Sequence, residues 1–394
     1  MTLINEKKPI PFGQPYIGNE EIKLVTKVIK SKWIGTGPIT ELFEKRFQKY
    51  KESKYAISVN SCTAALHLSL IYCGIKYNDE VITTPMTFAS TINSIILSGA
   101  KPVLADIDPN SFNIDPKEIE KKITKKTKAL LIVHLAGLPC DMMSIMKIVK
   151  KYKLKLIEDC AHSIESKYHN KHVGNFGDTG CFSFYTTKNL TTGEGGMVIC
   201  NKDRLNEKIR IARLHGLSKD AWKRYLPPKS VKAKIKFEHY DVTEVGLKYN
   251  MIDINAAMGI VQLKKLESSW NKRKKIFNLY SKKLAHLPIK TQSFFNKNIK
   301  HAYHLFLIVI DKNKTKKNRD DLILFLERNN IGCGVNYRSV TDMSIYKKKF
   351  GWNINTCKNS KYVGDNTLSL PLYPGLTTNE VNFICDKIQE FFKL

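Results

Sequence analysis

Residues 183–196 read Ser-Phe-Tyr-Thr-Thr-Lys-Asn-Leu-Thr-Thr-Gly-Glu-Gly-Gly and form a polar segment between two short apolar runs. The runs, residues 181–184 and 197–200, predict buried β-strands, because continuous apolar stretches of this length bounded by turn residues are typical of them. The glycines permit a tight return into the second strand. Lys188, held in such a loop, can reach an aldehyde and form a Schiff base. Lysine is frequent throughout the chain, so the setting of Lys188 carries this inference and its residue type does not.

The chain on the N-terminal side of this loop alternates between apolar runs and helical patterns. Strands are predicted at residues 55–59, 80–84, 102–106, 129–134 and 154–158, and helices at residues 63–73 and 88–98. Continuous apolar strands separated by helices predict an α/β fold with a mainly parallel sheet covered on both faces. Ligands of such sheets bind beyond the carboxyl ends of the strands. That edge is where a functional site is expected.

On the C-terminal side of this loop, the alternation of strand and helix patterns stops at residues 221–248 and then resumes. Residues 221–248 contain two adjacent prolines and many lysines, which predicts a surface excursion. A helix at 253–275, a strand at 303–310 and helices at 319–329 and 378–392 follow. We therefore expect residues 1–250 to form a large domain with an N-terminal arm. Residues 251–394 are expected to form a linking helix and a smaller C-terminal α/β domain.

The composition is that of a folded protein, but its charge is unusual. Of 394 residues, 42% are hydrophobic and 26% are charged, and the formal net charge is +29. Such a charge fits either a field that attracts an anionic partner or a lysine bias spread over solvated faces. The sequence contains no helix-turn-helix, zinc-finger or RNA-binding signature, so the second interpretation is favoured. No nucleic-acid partner is expected.

Cysteine usage and apolar segments predict the cellular setting. The nine cysteines include no C-x-x-C pair, and several lie in apolar runs, which fits a reduced, cytoplasmic protein and no metal site. The first residues lack the apolar core of a signal peptide. No apolar stretch approaches the ~18–20 residues that span a bilayer, so no membrane association is expected.

The strand-to-helix junction at residues 60–65, Asn-Ser-Cys-Thr-Ala-Ala, is rich in small side chains. Small residues let the N–H groups of a helix N-terminus approach a phosphate, and Thr63 adds a hydroxyl donor. The same pattern also fits an ordinary helix N-cap. The junction alone therefore leaves both interpretations open.

Two further motifs follow predicted strands. Residues 158–162, Glu-Asp-Cys-Ala-His, place two acids where burial is costly unless a charged or hydrogen-bonded partner meets them, and a pyridinium nitrogen would be such a partner. A capping aspartate with a structural histidine is the alternative. Residues 84–88, Thr-Pro-Met-Thr-Phe, end in an aromatic ring. Phe88 could stack on a flat heterocycle or belong to the core.

These motifs, in this order, resemble the DegT/DnrJ/EryC1/StrS family of pyridoxal-phosphate-dependent sugar aminotransferases. The resemblance begins at residues 33–37, Trp-Ile-Gly-Thr-Gly, and ends near residues 369–373, Ser-Leu-Pro-Leu-Tyr. It also includes residues 213–216, Arg-Leu-His-Gly, and residues 248–257, Lys-Tyr-Asn-Met-Ile-Asp-Ile-Asn-Ala-Ala. The resemblance implies a fold type I transferase that acts as a homodimer with shared active sites.

The resemblance also implies roles for individual residues. Lys188 would bind the cofactor aldehyde, Asp159 would face the ring nitrogen, and Phe88 would stack on the ring. The residues implied to hold the phosphate or the ring hydroxyl are Ser183, Cys62, Thr63, Ala64 and His162, with Asn250 reaching the phosphate of the other subunit. The residues implied to contact the sugar substrate are Thr36, His215 and Tyr337.

The position of amination is implied by two segments, residues 215–225 and 246–250. They resemble the branch of the family that aminates carbon 4 of a nucleotide-linked 4-keto-6-deoxyhexose or 4-keto-pentose, with glutamate as amino donor. Amination at carbon 3 remains an alternative. A sugar dehydratase, which usually carries His at the position of Lys188, and a non-catalytic regulator are weaker alternatives. One departure is Cys62, where relatives often carry Gly, and a modest effect is expected if φ is negative there.

Overall fold

The computed structural model describes residues 9–218, 240–293, 298–353 and 355–393, and within them the apolar runs form a seven-stranded sheet. The helices are α1 (Asn19–Lys30), α2 (Pro38–Lys51), α3 (Cys62–Tyr72), α4 (Ala89–Leu97), α5 (Pro116–Lys121), α6 (Met142–Tyr152), α7 (Asp203–Ala212), α8 (Asp253–Leu284), α9 (Arg319–Arg328), α10 (Ser344–Phe350), α11 (Lys358–Asn366) and α12 (Thr378–Lys393). The strands are β1 (Tyr55–Val59), β2 (Glu80–Thr83), β3 (Lys101–Leu104), β4 (Thr127–Val133), β5 (Lys155–Asp159), β6 (Lys167–Tyr168), β7 (Lys171–His172), β8 (Thr179–Ser183), β9 (Gly196–Cys200), β10 (Ile289–Lys290), β11 (Ile299–Lys300), β12 (Phe306–Ile310) and β13 (Thr367–Leu370).

The large sheet has the strand order β1-β9-β8-β5-β4-β2-β3. The pairs from β8 to β3 are parallel, which confirms the expected mainly parallel sheet. Strand β9 is antiparallel to both β8 and β1. The reason is the loop that carries Lys188: it joins β8 directly to β9 without a helix, and a parallel return would need a long crossover. Ser183 and Gly196 therefore pair at the base of this loop.

Both faces of the large sheet are covered. In β4, Leu131 and Ala129 pack with α3, whereas Leu130 and Ile132 pack with α6 on the opposite face. This alternation follows from the two-residue period of a strand, and it explains why the run is apolar without interruption. The helices thus hold the carboxyl ends of the strands in fixed relative positions.

A second core forms around the small antiparallel sheet β10-β12-β13. Helices α8, α9 and α12 supply its apolar side chains, among them Phe277, Leu322 and Ile384. Helix α8 belongs to both cores, because Ala256 and Ile260 in its first half pack with the aromatic cluster of α2 and β8. A further small sheet has the order β11-β6-β7.

Two predicted boundaries were wrong. Helix α8 continues to Leu284, because Ile276 and Tyr280 bury against the small sheet while the lysines at 272, 274 and 275 lie on its exposed face. Strand β12 begins at Phe306 and not at Tyr303, because Tyr303 has a positive φ of 50°. A residue in that conformation cannot extend a strand.

Most of the predicted surface excursion, residues 219–239, lies outside the described residues. The boundary between two domains near residue 250 stays a prediction. Within the described part of the chain, we find no helix that combines the length and the apolar character needed to cross a bilayer.

Candidate active site

The four motifs singled out in the sequence, residues 60–65, 84–88, 158–162 and 183–196, all contribute side chains to one cavity of about 560 Å³. The cavity lies beyond the carboxyl ends of β2, β5 and β8. Parallel strands end at the same edge of a sheet, so their following loops converge there. The cavity is lined by Ser61, Cys62, Thr63, Thr87, Phe88, Ser90, Val133, Asp159, Ala161, His162, Ser183, Tyr185, Thr187, Lys188, Glu194, Gly195, Asn336 and Tyr337.

Asp159 is the last residue of β5 and only 4% of it is exposed. Its Oδ2 accepts a hydrogen bond from the Thr91 hydroxyl at 3.0 Å, and its Oδ1 accepts one from the Ala161 N–H at 3.1 Å. Burial raises the pKa of Asp159 above its ordinary value, although both donors and the Lys188 amine oppose this shift. A protonated ring nitrogen in the cavity would give the carboxylate a charged partner.

Lys188 enters the same cavity from the loop between β8 and β9. Its main-chain N–H donates to the Tyr185 carbonyl at 2.9 Å, which closes a turn at the start of the loop. Burial lowers the pKa of the Lys188 amine to about 8, although Cys62 and Asp159 act in the opposite direction. An amine with this pKa is partly unprotonated near neutral pH and can act as a nucleophile or a base.

His162 is buried beside Lys188 and contacts Tyr337. Its Nδ1 accepts a hydrogen bond from the Ala136 N–H at 3.2 Å, and its Nε2 lies 3.0 Å from the Tyr337 hydroxyl. Burial and the Lys188 charge hold the pKa of His162 well below its ordinary value. The ring is therefore neutral, with its proton on Nε2, because Nδ1 is already an acceptor. The Tyr337 oxygen therefore accepts a hydrogen bond from His162 Nε2, and the hydroxyl proton of Tyr337 remains available to a ligand in the cavity.

The junction after β1 forms the N-terminus of α3. Ser61 is the N-cap, and its hydroxyl accepts a hydrogen bond from the Ala64 N–H at 3.1 Å. Ser61, Cys62 and Thr63 line the cavity, whereas Ala64 does not. Cys62 is the first helical residue, so its φ is negative, as the tolerance of cysteine there requires. The N-cap interpretation of this motif is thus confirmed, and its role in holding a phosphate stays a prediction.

Phe88 is the aromatic residue at the mouth of the cavity. It is the N-cap of α4, 61% of it is exposed, and its ring lies 6.0 Å from that of Tyr337. A core position for Phe88 is therefore wrong. An exposed ring on a cavity wall is suited to stacking on a planar ligand.

Besides Ala64, three predicted site residues, Thr36, His215 and Asn250, lie outside the cavity lining of their own chain. Asn250 donates through Nδ2 to the Thr36 hydroxyl at 2.7 Å, and Thr36 in turn donates to the Met251 carbonyl. His215 is exposed and has a positive φ of 57°. The roles of these three residues stay predictions.

The residues present fit pyridoxal phosphate. An amine and a buried carboxylate line one cavity, and a helix N-terminus with hydroxyl side chains lies beside them. Gly196 is needed for this arrangement, because a Cβ there would lie 2.5 Å from the Ser61 carbonyl carbon. The strand that follows the lysine loop can therefore approach the 61–63 turn only with glycine at this position.

The structure brings to the site several residues to which the sequence motifs assigned no individual role. They are Ser61, Thr87, Ser90, Thr91, Tyr185, Thr187, Glu194, Gly195 and Asn336. Six of them lie within the quoted motifs and Ser90 lies just after one, so the motifs themselves were the available signal. Asn336 had only its neighbour Tyr337 as a signal, and Thr91 had none beyond its place one helical turn after Phe88.

A family model matches most of the chain. Residues 15–389 match the model described as the DegT/DnrJ/EryC1/StrS aminotransferase family. The spore coat polysaccharide biosynthesis protein SpsC of Bacillus subtilis is 40% identical over 385 residues, which cover 98% of this chain and 97% of that protein.

Solved structures agree over nearly the whole length. A protein of Streptococcus pneumoniae described as a sugar aminotransferase, Spr1654, has a TM-score of 0.88 in its PMP form at 29% identity, covering 98% of this chain and 99% of its own. Its PLP form gives a TM-score of 0.88 at 28% identity with the same coverage. Helicobacter pylori PseC, an aminotransferase involved in pseudoaminic acid biosynthesis, has a TM-score of 0.88 at 29% identity, covering 98% and 100%.

Proposed function

Because the chain belongs to the DegT/DnrJ/EryC1/StrS aminotransferase family and is a fold type I sugar aminotransferase that uses pyridoxal phosphate, we propose that it aminates carbon 4 of a nucleotide-linked 4-keto-6-deoxyhexose, with glutamate as donor. The observation that carries the proposal is the shared cavity of Lys188 and Asp159. An amine of lowered pKa and a buried carboxylate are the two groups that this chemistry requires from the protein.

Lys188 is proposed as both the attachment point of the cofactor and the proton carrier. When bound, pyridoxal phosphate supplies an aldehyde for the amine and a ring that accepts electrons. Lys188 would take the proton from Cα of the amino donor and, in the second half-reaction, would give a proton to the sugar carbon that receives the amino group. Its pKa of about 8 suits both directions, because proton transfer is most efficient when the pKa lies near the working pH.

Asp159 is proposed to hold the ring nitrogen protonated. The Thr91 hydroxyl and the Ala161 N–H fix the two carboxylate oxygens, so the side chain keeps one orientation. In a buried site the attraction between opposite charges is stronger than in water. Ser61 and Thr63 at the N-terminus of α3, and Ser183 at the end of β8, are suited to hold the phosphate, since they line the same cavity.

The sugar is proposed to enter past the aromatic side chains at the mouth. Phe88 and Tyr185 are both exposed there, and Tyr337 presents its hydroxyl. Amination at carbon 4 is supported by the sequence resemblance of residues 215–225 and 246–250 to that branch. The names of SpsC and PseC support a role for the amino sugar in glycan biosynthesis.

A homodimer with shared sites is part of the proposal. Thr36 and Asn250 are tied to each other and lie outside their own cavity, so they are available to a partner's site. Helices α1 and α2 also carry exposed apolar side chains, namely Ile22, Ile29 and Leu42. Exposed apolar residues grouped on one surface are typical of subunit contacts.

The test is a panel of nucleotide-linked 3-keto and 4-keto sugars incubated with the enzyme, glutamate and pyridoxal phosphate. Product mass and NMR should show an amino group at carbon 4 and formation of 2-oxoglutarate. An amine at carbon 3 would replace the proposed position with the alternative. A product that had lost water and gained no nitrogen would contradict the proposed reaction.

The same panel can test the shared site. Mixing Lys188→Ala with Asn250→Ala subunits should restore up to about a quarter of wild-type activity, because one site in half of the dimers is then intact. No restored activity in mixed dimers, confirmed by light scattering, would contradict the sharing of Asn250.

A further inference from the structure

Asn189, the residue after Lys188, is hydrogen-bonded through every polar atom of its side chain. Its Nδ2 donates to Glu165 Oε2 at 2.8 Å and to the Ala302 carbonyl at 3.0 Å. Its Oδ1 lies 3.0 Å from Nδ1 of His304. These partners come from the segment after β5 and from the segment before β12. Asn189 therefore ties the lysine loop to two other parts of the chain.

The chemistry of the partners fixes the orientation of the amide. The Ala302 carbonyl can only accept, and the Glu165 side chain also accepts from Arg273 on its other oxygen. Both hydrogens of Nδ2 are thus donated, and Oδ1 must accept from His304. His304 consequently carries its proton on Nδ1. Burial keeps the pKa of His304 well below its ordinary value, so Nε2 is unprotonated.

His304 connects these hydrogen bonds to His162, which lines the cavity. Its ring packs against that of His162, with 4.4 Å between the centroids. His162 accepts from the Ala136 N–H and donates to Tyr337. One hydrogen-bonded set thus runs from Arg273 to His304 and a second from Ala136 to Tyr337, and the two meet where the rings of His304 and His162 pack. A changed member of either set leaves its hydrogen-bonded neighbours without partners.

We propose that Asn189 and His304 are positioning residues for the aminotransferase: Asn189 holds the main chain at Lys188, and His304 holds the ring of His162 against the cavity. Neither side chain of the pair needs to touch the substrate. The inference rests on the assignment of Lys188 as the attachment residue. In this proposal, Lys188 is positioned by its neighbour Asn189 and, through His304, by the C-terminal part of the chain.

The first variant is Asn189→Leu, which keeps the volume and removes all three hydrogen bonds. Displacing Lys188 by a fraction of an ångström should lower kcat about 10–100-fold, while KM for the sugar changes by less than about threefold. Attachment is measured separately from turnover. Borohydride reduction at limiting pyridoxal phosphate fixes the cofactor on Lys188 as a stable secondary amine, which peptide mass spectrometry counts. Asn189→Leu should give at least about threefold less of it.

The matched control is Asn175→Leu. Asn175 is also buried, donating to the Lys51 carbonyl at 2.6 Å and lying 3.5 Å from the Asn201 amide, but it is remote from the cavity lining. It should lose a similar amount of thermal stability and keep both its kcat and its labelling of Lys188. Equal losses of kcat and labelling in the two variants would overturn the proposal, because a purely structural role predicts them.

His304→Phe provides a second variant in case Asn189→Leu does not fold. It keeps an aromatic ring beside His162 and removes only the donor to Asn189. Labelling of Lys188 and kcat should fall in the same direction as in Asn189→Leu, by a smaller factor. Wild-type kcat and labelling in His304→Phe would overturn the proposal for His304. If the wild-type protein itself showed no labelled Lys188, the proposed function would fail instead, so the two failures are distinguishable.

Discussion

Two buried polar clusters lie at the carboxyl end of β5, on opposite faces of the large sheet. Each contains one of two adjacent residues of β5, Glu158 or Asp159. Asp159 belongs to the cavity with Lys188, and Glu158 belongs to the opposite cluster with Lys51. Each cluster combines a carboxylate, a lysine, a histidine and a cysteine. The pKa of Lys51 is lowered to about 8 by burial, as is that of Lys188. Residue type and pKa therefore do not distinguish the two clusters.

Hydrogen bonding does distinguish them. Glu158 accepts from three main-chain N–H groups, those of residues 174, 176 and 177, each at 2.7 Å, and lies 3.2 Å from His134 Nε2. Lys51 donates to the Ile164 carbonyl at 2.9 Å and lies over the Phe182 ring. Asp159 has two donors and faces a cavity. A lowered pKa thus indicates function only where the group also meets open space.

The largest effect is expected for Lys188→Ala. Turnover should fall at least about a thousand-fold, because the attachment point and the proton carrier are lost together. The visible absorbance of the bound cofactor should change as well. The control is Lys51→Met, which removes the other buried lysine and should keep kcat within about threefold. An active, yellow Lys188→Ala protein would refute the assignment.

The two carboxylates give the next comparison. Asp159→Asn should lower kcat by about 100-fold with little loss of stability, because it removes the charge that is proposed to face the ring nitrogen. Glu158→Gln should leave kcat nearly unchanged but cost about 3 kcal/mol, because a buried amide cannot accept all the hydrogen bonds that Glu158 accepts. Steady-state kinetics and urea unfolding of both variants measure the two effects. The reverse pattern would contradict the division into a catalytic and a structural face.

The pH dependence of stability tests Lys51 when the wild type is compared with Lys51→Met, because Lys188 contributes equally to both proteins. Its pKa is about 8 in the folded protein and 10.5 in the unfolded chain. Below pH 8 both states carry the charge, and the folded state bears the cost of burying it. Between pH 8 and 10.5 that cost disappears, so the free energy of unfolding should rise by about 3 kcal/mol from this group. Urea unfolding of the cofactor-free Lys51→Met protein should lack this part of the rise, whereas an unchanged curve would show that Lys51 titrates normally.

The smallest effect is expected at Cys62. Its Sγ lies 4.0 Å from Asp159 Oδ1, a weak contact, and its negative φ suits any residue. Cys62→Gly should therefore change kcat by less than about threefold. It should also cost up to about 1 kcal/mol of stability, because glycine is unfavourable at a helical position. A loss of kcat beyond tenfold would show that the thiol supports Asp159.

Single residues and short sequence patterns predicted much of the fold and of the candidate site. The uninterrupted apolar runs of β4 and β5 predicted a covered sheet, because both faces of each strand had to be buried. The polar and glycine residues between two such runs predicted the loop around Lys188. The lysines at 272, 274 and 275 predicted an end for α8 that is wrong, because apolar residues continue on the buried face of the helix to Leu284.

The sequence by itself determined the family, the mainly parallel sheet and the residues Lys188, Asp159 and Phe88, because these depend on local pattern and order along the chain. Only the tertiary structure decided which buried acid faces the cavity and which is already satisfied, since Glu158 and Asp159 are neighbours of similar type. It also brought together the hydrogen bonds of Thr91 with Asp159 and of Asn189 with Glu165 and His304. The bonded residues are 68, 24 and 115 residues apart along the chain, and only folding brings them into hydrogen-bonding distance.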